Sequence, residues 1–148
     1  MWKAANISTA EFSTFHTFIF SNLRNMDFFE TKSDIDLDVR WQDLRLDLQQ
    51  KFGKRPDLNA ILFLIGIQEL GQGITEFTKE QKQDLMHIAT CKVFSLSGFY
   101  ELERVDEDGW PHYKSVKPIP PGHLKAQERM LKWHIVEYFD QLNEDYQL

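Results

Sequence analysis

Apolar side chains recur along most of this chain at three- and four-residue steps, the spacing that places them on one face of a helix. Ser8 and Glu11 form a capping box, and Ile7 and Phe12 are placed for a hydrophobic staple around it. Phe12, Phe15, Ile19, Leu23 and Met26 then predict a helix that ends between Asn25 and Phe29. The next stretch carries two periods. Ile35, Leu37, Val39 and Trp41 alternate with Asp34, Asp36, Asp38 and Arg40 as in a strand, whereas Leu37, Trp41, Leu44, Leu48 and Phe52 keep helical spacing over a longer window. The longer window and the acid-first pairs Asp36 with Arg40 and Asp47 with Lys51 predict a helix over about 37–52, stopped by Gly53.

Asp57 caps a third expected helix, whose Leu58, Ile61, Leu62, Phe63, Leu64, Ile65, Ile67 and Leu70 leave almost no polar face. A helix apolar all round is a buried one, so this segment is the expected centre of the fold, with Gly66 marking close contact with another helix. Thr78 and Gln81 form a second capping box ahead of Leu85, Ile88, Ala89 and Val93, and Gly98 closes that helix. From Phe99 to Val116 the helical period is lost. Asp106-Glu107-Asp108-Gly109 signals a turn, and Pro111 restricts any strand after it to an edge. After the stiff connector Pro118–Gly122, a last helix is expected over about 123–142. The pattern predicts an all-α fold: residues 1–148 as a single-domain bundle of about five helices, with a short β-hairpin or ordered loop at 99–116.

Composition narrows the function classes. The 148 residues carry 17 basic and 23 acidic side chains, a net charge of −6, and residues 1–55 are balanced, so the rest of the chain owns the excess. This acidity argues against a nucleic-acid partner and against docking on an anionic membrane. The longest apolar run, from Ala60 to Ile67, is too short to span a bilayer, and no leader sequence is legible. One cysteine, Cys91, precludes an internal disulfide and points to a reducing compartment, so the expected location is cytoplasmic. Of the twelve Phe, six lie between Phe12 and Phe29; Phe18 and Phe20 fall off the inward stripe and predict a contact with a protein partner or a second copy of the chain.

Several motifs fail on inspection. Asp34-x-Asp36-x-Asp38 opens like a calcium loop, but Val39 and Arg45 stand where Gly and a bidentate Glu are required. Gly66 and Gly71 have phosphate-loop spacing, but Gln72 and Gly73 replace the lysine and hydroxyl residue. No nucleotide- or flavin-binding motif, nucleophile elbow, H-E-x-x-H or Ser-His-Asp ordering is present, and His16, His123 and His134 stand singly. A more substantial constellation lies on the fourth expected helix. Glu80, Asp84, His87 and Cys91 share one face, which makes Asp84, His87 and Cys91 candidate metal ligands, with Glu69 able to face them. The bland reading of the same face has Glu80 and Asp84 solvated and Cys91 as a small core residue. The ring-rich segment around Trp110 and His112 adds a third candidate region, although rings in a loop more often pin it to a core.

The segments Leu58–Gly71, Asp84–Ala89 and Asp108–His112 resemble a family of small all-helical bacterial proteins to which no activity is assigned. The resemblance implies an all-helical fold and directs attention to Glu69, Asp84, His87, Trp110 and His112. The resulting expectation is a non-enzymatic bundle that acts through protein–protein contact or self-association. The alternative is a metal-binding or acid–base site formed by Glu69, Asp84, His87 and His112, hydrolase-like or binding a small molecule.

Overall fold

The computed structural model describes residues 32–73 and 75–146. Four helices and one hairpin follow one another: α1 (Lys32–Phe52), α2 (Leu58–Leu70), α3 (Lys79–Ser95), β1 (Tyr100–Val105), β2 (Pro111–Ser115) and α4 (Leu124–Tyr146). In α1, Leu37, Trp41 and Leu48 are buried whereas Val39 is 55% exposed, so the period of the longer window prevails over the alternation. The helix also begins five residues earlier than its apolar stripe, through the acidic stretch.

Local chemistry sets the ends of α2 and α3. The Asp57 carboxylate accepts the Ala60 N–H at 2.8 Å, and Gly71 closes α2 at φ 71°, donating its N–H to the Ile67 carbonyl. Thr78 and Gln81 satisfy each other's backbone N–H groups at the start of α3, at 3.1 and 2.9 Å. Between these helices Gly66 permits an unusually close approach: a Cβ there would lie 2.7 Å from the Leu85 carbonyl carbon and 2.8 Å from its Cβ. At the start of α4, the His123 ring accepts the Ala126 N–H through Nδ1, which gives one of the solitary histidines a capping role.

Two apolar clusters result. The larger joins Leu37, Trp41 and Leu48 of α1 with Ile61 and Ile65 of α2, Val93 and Phe94 of α3, and Leu131, Ile135 and Tyr138 of α4. The smaller packs Trp110 against Ile67, Leu70, Leu85 and Ile88, so the hairpin contributes to the interior.

The expectation of a five-helix, all-α bundle is therefore corrected. Among the described residues there are four helices and a two-stranded antiparallel sheet, and the helix expected over Ser8–Met26, with Phe18 and Phe20, lies outside them. The segment at 99–116 forms true strands because its turn is fastened from both sides: Asp106 organises it internally, and the Gln72 amide donates to the Asp108 carbonyl at 2.7 Å. Glu103 bulges out between Leu102 and Arg104, which with its charge protects the free edge of β1 from pairing. No helix among the described residues is long and apolar enough to cross a membrane.

Candidate functional site

The residues singled out from the sequence fall into three local arrangements. At the end of α2, Glu69 accepts the Tyr138 hydroxyl at 2.7 Å through Oε1, and its Oε2 lies 3.9 Å from the Lys92 ammonium. This fastens α2 to α4 and α3. The Tyr113 phenol of β2 is held well above its ordinary value, first by burial and then by the nearby Glu69 charge.

On α3, the His87 Nε2 lies 3.7 Å from the Cys91 thiol. Burial drives the imidazole down to about 3 and the thiol far up, so both are neutral at physiological pH. A reactive thiolate needs the opposite environment. Asp84, expected to be solvated, is fully buried instead, and neither carboxylate oxygen meets a hydrogen-bond donor among the described residues. Burial, and secondarily the charge of Glu80, raises its pKa to about 7. Asp84, His87 and Cys91 thus share a buried face. Among the described residues, however, no three His, Cys, Asp or Glu side chains are grouped to hold a metal ion.

The third arrangement lies in the hairpin. The Asp106 Oδ1 accepts the backbone N–H groups of Asp108 and Trp110, at 2.9 and 3.0 Å, and Oδ2 receives the His112 Nε2–H at 3.0 Å. All three bonds shape the turn that presents Trp110 to the smaller cluster. Glu69, the His87–Cys91 pair and the Asp106–His112 turn each have partners of their own, and Glu69 and Cys91 both bear on the Tyr113 phenol.

A different pair stands at a cleft. Ser97 lies in the turn after α3 and is exposed, whereas His134, midway along α4, is 7% exposed. The Met130 carbonyl is 2.7 Å from the His134 Nδ1 and can only accept, so Nδ1 carries the hydrogen. Burial lowers the pKa of the ring and keeps it neutral, which leaves Nε2 as an acceptor. The Ser97 hydroxyl, 2.7 Å away, therefore donates to Nε2. The rings of Phe94 and Phe99, with centroids 5.0 and 6.5 Å from the imidazole, hold its orientation.

This pair lines a cleft of about 410 Å³ with Phe99, Met130, Trp133 and Lys117. The Lys117 ammonium sits 4.5 Å above the Phe99 ring and 3.9 Å from where a Cβ on Gly98 would stand, beside Ser97. Glu137 also lines the cleft, but its carboxylate lies 3.8 Å from the Arg40 guanidinium. Sequence reasoning missed this site because Ser97 and His134 lie 37 residues apart on different elements. The only available hint was a serine beside Gly98 at a helix end.

No family model, curated protein or solved structure matches the chain.

Proposed function

We propose that this protein binds a small carboxylate with an apolar body in the cleft between the α3–β1 turn and α4. The supporting observation is the convergence of Lys117, Ser97 and His134 at the rim of a cleft walled by Phe99, Met130 and Trp133. Few polar groups on an apolar wall is the usual composition of a small-molecule site. Lys117 supplies the positive charge, the Ser97 hydroxyl turns its hydrogen from the His134 Nε2 to a carboxylate oxygen, and the rings receive the apolar body. Glu137 in the same cleft shares the Arg40 guanidinium with Asp140, so the anion is placed on the Lys117 side. The cytoplasmic residence expected from the single cysteine is part of the same proposal.

Titration of the labelled protein with phenylacetate and hexanoate, followed by NMR, tests the reading. Shifts confined to residues around Ser97, Lys117 and His134 are expected, with the matching neutral amides at least tenfold weaker and Lys117→Met abolishing the preference. Equal binding of acids and amides, or shifts elsewhere, overturns it.

A second reading, contact with another protein or a second copy, is favoured by apolar side chains left exposed: Phe52 at 53%, Val105 at 56%, Val116 at 54% and Leu124 at 63%. Light scattering across a concentration series tests it; a monomer at every concentration removes the self-association form.

A further inference from the structure

We infer that Ser97 and His134 form a nucleophile–base pair that hydrolyses small carboxylic esters in this cleft. The inference rests on the binding reading above, since the carboxylate bound there becomes the product and its ester the substrate.

Three features carry it. The nucleophile and base are within hydrogen-bond reach, at 2.7 Å, with the serine donating and the imidazole accepting. The base is oriented by a third group, the Met130 carbonyl, which fixes the tautomer that leaves Nε2 free to take a proton. The nucleophile is exposed while the base is buried between two rings, so a substrate reaches Oγ and solvent does not compete for the imidazole.

The chemistry balances with water as the only co-reactant. The Ser97 Oγ attacks the ester carbonyl as its proton passes to the His134 Nε2. The tetrahedral species collapses with cleavage of the bond to the alkoxy oxygen, which leaves as the alcohol with that proton. Water then attacks the acyl-serine, again giving a proton to Nε2, and the returned proton restores the Ser97 hydroxyl as the carboxylic acid departs. The backbone N–H groups of Ser97, Gly98 and Phe99 are all donated within the turn, to the carbonyls of Phe94, Ser95 and Phe94. Stabilisation of the developing oxyanion therefore falls to the Lys117 ammonium, the one lysine or arginine among the described residues that lines the cleft.

The test uses the full chain with a fluorophosphonate probe and with p-nitrophenyl butyrate. One phosphonyl adduct located on Ser97 by mass spectrometry is expected, absent in Ser97→Ala. Ester turnover should fall to the buffer rate in Ser97→Ala and about 100-fold or more in His134→Gln. Hexanoate binding by the unmodified protein is measured alongside, which separates this inference from the binding reading. Hexanoate binding with no adduct on Ser97, or turnover unchanged in Ser97→Ala, overturns the hydrolytic role alone. Loss of carboxylate binding in the unmodified protein overturns the binding reading and this inference with it.

Discussion

Asp106 and His112 meet across the hairpin turn with Nε2 3.0 Å from Oδ2, and their side chains are only 2% and 3% exposed. One carboxylate thereby serves three donors: the His112 ring and the backbone N–H groups of Asp108 and Trp110. Replacing it strands all three in a protected turn. Asp106→Ala is expected to destabilise the protein by about 3 kcal/mol, with Asp106→Asn intermediate because an amide oxygen still accepts. Chemical denaturation followed by tryptophan fluorescence checks this; a loss below about 1 kcal/mol would show that the turn stands without the pair.

Asp84 and His87 give the stability profile opposing slopes. Folding raises Asp84 from 3.8 to about 7, so its protonated form favours the fold at low pH and that contribution is lost as pH rises through this range. Folding lowers His87 from 6.5 to about 3, so its contribution is complete above pH 6.5 and is lost as pH falls toward 3. Asp84→Asn is expected to stabilise the protein at pH 8 by about 2–4 kcal/mol, with the gain vanishing near pH 4. Urea denaturation at pH 4, 6 and 8 reads the difference, and a gain independent of pH contradicts the assignment.

Gly66 and Leu85 set the separation of α2 and α3. The groups a new methyl would meet belong to the Leu85 backbone and its Cβ, which cannot swing aside. Gly66→Ala should therefore cost about 3 kcal/mol despite the better helix propensity of alanine. Thermal unfolding measures it, and a neutral or stabilising effect would show that the two helices part freely.

Tyr138 links α4 to α2 through Glu69. Tyr138→Phe removes the donor at 2.7 Å and leaves the carboxylate with Lys92 at 3.9 Å. A loss of about 1.5–3 kcal/mol is expected, as for a hydrogen bond to a charged group. A double-mutant cycle with Glu69→Gln isolates the pair, and a coupling near zero would assign the cost to packing.

Much of the local architecture was legible along the chain. Asp57, Gly71, Thr78 and Gln81 act where their spacing placed them, because a cap is a contact between residues two to four apart. Gly66 read correctly for a related reason: its cost to helix propensity needs a steric explanation, and the adjoining helix provides it. The alternation at 34–41 was less decisive, since eight residues fit either period until burial selects a face. Asp84 was misjudged. A carboxylate four residues from Glu80 resembles a solvated stripe, and only the packing around α3 encloses it.

What the sequence by itself determined, then, is the run of helices across the described chain, the caps of α2 and α3 and the turn at Asp106–Gly109, all set by interactions of short reach. The tertiary structure alone decided that the hairpin closes one side of the core, that Asp84 is enclosed, that Glu69 meets Tyr138, and that Ser97 meets His134. Those outcomes depend on which elements pack together. A hydrogen bond between residues 37 positions apart leaves no period in the sequence, because neither partner's neighbours need change to make it.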